Sequence, residues 1–196
     1  MMDVVAVYDR FFALGGMPPT DYRPWQYRRK ETSMRLPGCA LLASLVRDRR
    51  PSRVLDLGSG LTTLVLRELQ RQEFPQMIVV TVDTSERWLQ TTQTELQRDG
   101  LNDEHCYTHA EFDALQWEPF DLISVDEGNL EHRVTIVDAL ARWCAPRGLL
   151  VLDDWKMRDY AQRMTVALTD LGFTVTERYD TMDEFDQFLA LAERAS

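Results

Sequence analysis

Short apolar runs alternate with longer stretches of helical periodicity along most of this chain. Val54, Leu55 and Leu57 form one run, Met77 to Val82 a second, Phe120 to Val125 a third and Leu149 to Leu152 a fourth. Runs this short, without polar alternation, are expected of parallel strands buried on both faces. From about Thr62, residues Leu64, Val65, Leu66 and Leu69 recur at helical spacing, as do Leu41, Leu42, Leu45 and Val46 within 38–49. Further helices are predicted over 4–14, ended by Gly15 and Gly16, through Trp88, Leu89 and Leu96, over 130–144, and over 157–171. Segment 104–109 reads as a short polar strand toward a sheet edge. Segments 173–178 and 185–192 read as two last strands, with a link short enough for a hairpin. Strand and helix in alternation predict an α/β fold.

Composition narrows the class. The 196 residues, 44% hydrophobic and 28% charged, suit one soluble domain, with residues 1–37 as an N-terminal helix and arm. No run is long enough to span a bilayer and no signal pattern opens the chain, so a cytoplasmic location is expected. A formal charge of −10 argues against a nucleic-acid partner and favours a small-molecule or protein one, with homodimerisation left open. Cys39, Cys106 and Cys144 are too scattered for a metal or redox pair. The arm from Met17 to Arg35 combines prolines, aromatics and a locally basic stretch. It is either a segment packed on the domain, a lid that brings Tyr22, Trp25 or Tyr27 over a ligand, or a docking patch for an acidic partner.

The candidate chemistry gathers where the strands end. After the first strand, Gly58, Ser59 and Gly60 turn the chain into a helix, a context in which backbone can approach a ligand closely. The third glycine of a dinucleotide loop is replaced by Thr63, and the Lys-Ser/Thr pair of a phosphate loop is missing. Asp56, just before the glycines, would repel a pyrophosphate and attract a sulfonium or ammonium; otherwise it caps a generic turn. Asp83 ends the second strand, where an acid can grip a ribose diol, and Asp83, Thr84 or Ser85 could equally begin the next helix. Asp126 ends the fourth strand and Asp153 with Asp154 the fifth, and no Lys or Arg stands at those ends. A cleft so lined suits a sulfonium, an ammonium and ribose hydroxyls, or a divalent cation. His105 and His109 are expected at the surface.

The stretch Arg53–Leu66 resembles motif I of the class I S-adenosylmethionine-dependent methyltransferases. The motif Phe120-Asp121-Leu122-Ile123-Ser124-Val125-Asp126 and the later glycine, apolar strand and terminal Asp are similar to the same family, in its small-molecule, catechol-O-methyltransferase-like branch. The resemblance covers about residues 38–192. It implies a Rossmann-like, doubly wound sheet of seven mostly parallel strands, a C-terminal antiparallel strand and helices on both faces. It places the methionine part of S-adenosylmethionine along Asp56, Gly58, Ser59, Gly60 and Thr62, the last standing for the family's third glycine. The ribose falls to Asp83 and Thr84, the adenine to Asp113, with Asp126 also at the cofactor. Asp126, Asp153 and Asp154 resemble the Asp, Asp, Asn triad that holds Mg2+ in catechol-type enzymes, although Asp154 stands where Asn is common. The lysine those enzymes use after the first Asp is missing from Asp126-Glu127-Gly128-Asn129, leaving Lys156 and His132 as substitutes. The implied activity is methyl transfer to a small-molecule acceptor, most simply O-methylation, with Asp126, Asp153 and His132 as the groups that remove a proton. An aminopropyltransferase-like enzyme and a non-catalytic binding protein on the same fold are the alternatives.

Overall fold

The computed structural model describes residues 1–13, 34–183 and 186–194. Most of the predicted arm, residues 17–33, and Phe185 at the head of the last predicted strand lie outside the described residues.

The apolar run after Pro51 becomes β1 (Arg53–Leu57), which takes a central place because both of its edges find parallel partners. Around it lie β2 (Ile78–Asp83), β3 (Cys106–Thr108), β4 (Phe120–Val125), β5 (Cys144–Leu152), β6 (Phe173–Arg178) and β7 (Leu189–Arg194). They form one seven-stranded sheet in the order β3-β2-β1-β4-β5-β7-β6. β7 alone runs antiparallel to its neighbours, pairing with β5 on one side and β6 on the other. This is the doubly wound α/β sheet that the sequence predicts.

Alternate residues of each strand feed the two faces. Val54, Val79, Leu122 and Val151 join a core with α1 (Val4–Ala13), α2 (Leu36–Arg49), α3 (Leu61–Gln72) and α4 (Glu86–Arg98). Leu55, Val80, Ile123 and Leu150 join the opposite core with α5 (His109–Asp113), α6 (Leu130–Thr135), α7 (Val137–Trp143) and α8 (Arg158–Asp170). None of the described helices is long and apolar enough to cross a membrane.

Local chemistry explains the departures from the predicted elements. The expected helix over 130–144 breaks at Ile136, whose ψ of 7° ends α6 before α7 begins. Strand β5 starts at Cys144 rather than 149 and carries Pro146 and Gly148 through a register shift opposite Phe120 and Leu122. A Cβ on Gly148 would come within 2.5 Å of Cys144 Sγ, so the irregular stretch needs glycine there. The third strand is cut short because Thr108 caps α5: its backbone N–H donates to Glu111 Oε2 at 2.8 Å, and Glu111 N–H donates to its hydroxyl.

Register sets up the site. Leu57 pairs with Val82 and with Val125, and Val125 pairs with Leu152. The residues that follow, Gly58, Asp83, Asp126 and Asp153, therefore form one row along the carboxyl edge. Because Leu55 is fully buried between two strands, Leu55→Ala should cost about 2–5 kcal/mol, read as a lower urea midpoint with unchanged slope.

Candidate functional site at the carboxyl edge

At the first loop, close approach dictates the residue type. Gly58 has φ +102° and donates its N–H to Val82 O at 2.9 Å, while Asp126 N–H donates to Leu57 O at 2.8 Å. A Cβ on Gly58 would lie 2.6 Å from Asp126 O, so a side chain there would push the two loops apart. Gly60, at φ +144°, is the N-cap of α3, and its N–H donates to Thr63 Oγ1 at 3.1 Å. The Thr63 hydroxyl in turn donates to Asp56 Oδ2 at 2.6 Å, while Thr62 Oγ1 reaches Gly58 O at 3.4 Å. Asp56 is thus fully buried beneath the loop, and its Oδ1 has no hydrogen-bond partner. Burial pushes its carboxyl up to about 7, against the lowering effects of Thr63, Thr62 and Arg67.

Asp83 clasps the same loop from β2. Its Oδ2 accepts from Ser59 N–H at 2.7 Å and from Ser59 Oγ at 2.8 Å, and its Oδ1 accepts from Ser85 N–H at 2.8 Å. Helix α4 takes Ser85, not Asp83, as its N-cap, and Thr84 is exposed beside it. Trp88 donates its indole N–H to Ser59 O and, with Phe11 and Leu64, lines a small crevice against Gly60.

The ends of β4 and β5 hold a second group. Asp126 and Asp153 follow paired residues of neighbouring strands and so stand side by side; burial raises both carboxyls, helped by repulsion between neighbouring acids, and brings Asp153 to about 7. Arg133, reaching back from α6, lies between Asp126 and Asp154. Its Nη2 is 3.0 Å from Asp126 Oδ1 and its Nη1 3.1 Å from Asp154 Oδ2, and its Nε donates to Glu127 O at 2.8 Å. Burial alone would lower the guanidinium pKa, but Asp126 and Asp154 outweigh it and raise it. The expectation that no Arg stands at the strand ends is therefore corrected: the cation arrives from a helix.

Two histidines are corrected as well. His109, expected at the surface, is half-buried with Nε2 2.7 Å from Glu127 Oε2. His132 turns toward Glu127, with Nε2 3.4 Å from Oε1, and not toward the Asp126–Asp153 pair. Glu127 was not singled out by the sequence reading, yet its side chain is fully buried. His105 is half-buried at φ +60°, with Nδ1 3.1 Å from Tyr107 Oη. Asp113 is exposed at the end of α5, and Lys156 is half-buried in the turn after Asp154.

No protein-family model matches the chain. The O-methyltransferase hkm8 of Aspergillus hancockii is 31% identical over 124 residues, 59% of this chain and 48% of that protein, so the match spans about half of the relative's length. An O-methyltransferase of Bacillus cereus, solved with S-adenosylhomocysteine, is 18% identical and superposes with a TM-score of 0.60 over 99% of this chain and 92% of the other. The O-methyltransferase TomG of Streptomyces achromogenes, solved with S-adenosylmethionine, is 16% identical with a TM-score of 0.63 over 100% of both chains. The chain has the class I methyltransferase fold.

Within this methyltransferase fold, the acids at 126, 153 and 154 do not fit Mg2+ as they stand. A divalent ion needs oxygen atoms free to converge on it, and the guanidinium already takes one oxygen of Asp126 and one of Asp154. Arg133→Met would leave those partly buried carboxylates uncompensated and lower the stability. Millimolar Mg2+ should raise the melting temperature of that variant and leave the parent's unchanged, as measured by differential scanning fluorimetry.

Asp56 supplies a pH signature for the glycine loop. Its folded pKa, about 7, lies above the ordinary carboxylate range, so its favourable contribution is complete in acid and is lost as pH rises through 7. Arg67, Asp83 and Asp126 are the charged groups that act on it or feel it. Asp56→Asn keeps an acceptor for Thr63 without the charge. Its stability gain over the parent should be larger at pH 8 than at pH 5 in paired urea titrations.

Proposed function

We propose that this chain transfers a methyl group from S-adenosylmethionine to an oxygen of a small-molecule acceptor. The observation that carries the reading is the clasp at the carboxyl edge, where the Asp83 carboxylate and the Ser59 amide and hydroxyl hold the glycine turn open-faced beside a row of acids. An acid at this point of an α/β sheet is placed for a ribose diol, since each carboxylate oxygen can accept more than one hydrogen bond. The likeness in fold to the O-methyltransferases solved with S-adenosylmethionine and its demethylated product supports the same choice of cofactor.

The cofactor supplies an electrophilic methyl on a sulfonium, so the protein's tasks are alignment, water exclusion and proton removal. Gly58, Ser59, Gly60 and Thr62 would cradle the methionine part, with Asp56 bracing the cradle from below through Thr63. Asp83 and Thr84 would meet the ribose, and Asp113 would meet the adenine. The neighbouring Asp126 and Asp153 carboxylates are the proposed acceptor for the proton of the hydroxyl, because a carboxylate whose pKa burial raises toward neutrality is a stronger base than an ordinary one and can take up that proton. Arg133 would offset the charge that develops there, the part a metal plays in catechol-type enzymes. His132, turned to Glu127, takes third place as a base. We place the enzyme in the cytoplasm on its free thiols, Cys39, Cys106 and Cys144, which suit a reducing compartment.

Calorimetry and turnover on a panel of small hydroxylated acceptors test the reading together. The parent should bind S-adenosylhomocysteine, and Asp83→Ala should weaken binding by about tenfold or more, the worth of a charge-assisted hydrogen bond. Asp126→Asn should leave that affinity nearly unchanged and slow turnover by about 100-fold or more, as for loss of a general base. A parent that binds neither S-adenosylmethionine nor S-adenosylhomocysteine would refute the assignment.

A further inference from the structure

Two acidic groups sit side by side at the carboxyl edge, and they are neutralised differently. Asp126 and Asp154 share the Arg133 guanidinium. Glu127, the residue after Asp126, has no Arg or Lys on its side chain among the described residues: Arg133 reaches only its backbone oxygen. Its carboxylate instead faces two imidazoles brought from separate elements. His109 is the first residue of α5, and His132 lies in the first turn of α6, where Asn129 Oδ1 accepts its backbone N–H at 2.9 Å.

One oxygen of Glu127 is satisfied and one is not. Oε2 is 2.7 Å from His109 Nε2, a hydrogen bond. Oε1, on a side chain with no solvent exposure, has no hydrogen-bond partner among the described residues, and neither has His132 Nε2, 3.4 Å away. A buried, unpartnered carboxylate oxygen is costly, and a nitrogen that faces it without bonding to it compounds the cost. The two atoms nevertheless stand at the separation that two ligands adopt on one tetrahedral ion, about 3.3 Å for metal bonds of about 2.0–2.1 Å. One ligand atom from each of the three residues lies within 4.8 Å of the others, and the two rings meet edge to face at 5.4 Å.

We propose that His109, Glu127 and His132 form a binding site for a divalent transition-metal ion of the Zn2+ type. Two imidazole nitrogens and one carboxylate suit Zn2+, Co2+ or Ni2+ and do not suit Mg2+, which prefers oxygen ligands. The ion would satisfy the orphan Glu127 oxygen and the orphan His132 nitrogen at once. His109 would exchange its hydrogen bond for a metal bond. The two histidine side chains are 21% and 30% exposed, which gives the ion a path from solvent and leaves a fourth position for water. Asp83 and Asp113 add negative charge around His109 and favour a cation there. Gly128 helps to hold the geometry: its φ is +58°, and a Cβ would come within 3.2 Å of the His132 ring. The site lies outside the acid triad weighed for Mg2+ and does not depend on the reaction proposed above.

The test uses the full chain, freed of metal by chelator and titrated with ZnCl2 and, separately, CoCl2. A single saturable site of micromolar or tighter affinity is expected, with visible Co2+ absorption bands of a four- or five-coordinate ion that millimolar Mg2+ does not displace. His109→Asn, His132→Asn and Glu127→Gln should each weaken the affinity at least tenfold and alter the cobalt spectrum, with circular dichroism confirming that each variant is folded. Failure of the parent to bind Zn2+ saturably would overturn the proposal. So would binding that survives in both histidine variants, or displacement of Co2+ by Mg2+.

Discussion

Carboxylates from neighbouring strands can be brought together out of water only if something positive offsets their repulsion, and here a helix supplies it. Arg133 bridges Asp126 and Asp154, with Asp153 beside them. In a poorly solvated rim that bridge is worth far more than it would be in water, because the alternative is an unpaired charge. The guanidinium also ties α6 to the ends of two strands and fixes the backbone of Glu127. The acid row, the turn after β4 and the approach of α6 to the sheet therefore stand or fall together.

The glycine loop obeys a different constraint, that of space. Gly58 lies where the backbone after β4 would collide with any side chain, so the two loops can share the edge only because one of them is bare. Asp83 and Asp56 then fix the loop from two sides, one through Ser59 and the other through Thr63. The result is a turn held from its inner side by hydrogen bonds to two acids.

Much of this was legible in the amino-acid order. Buried parallel strands announce themselves by short apolar runs, and those at 54–57 and 120–125 were placed to within a residue of their observed limits. The glycine turn and the row of terminal acids followed from the same register. What escaped was chemistry delivered by helices. Arg133 lies seven residues beyond Asp126, on the face that Leu130 and Val137 also turn inward. A charged residue on an apolar helical stripe demands a buried partner, and that was the available signal. The pairing of Glu127 with His109 was not legible because the two come from different connections, and no spacing in the sequence links them. The break at Ile136 and the early start of β5 arise from packing against β4, which local periodicity does not encode.

The position of β7 bears on how the chain acquires this shape during synthesis. β7 leaves the ribosome after β5 and β6, yet it lies between them. Until residues 189–194 emerge, β5 and β6 each keep an open hydrogen-bonding margin, and neither can close on the other without excluding the rightful occupant. The nascent polypeptide therefore leaves the margin of β5 exposed to wrong partners, and β6 without a place in the sheet, until residues 189–194 arrive.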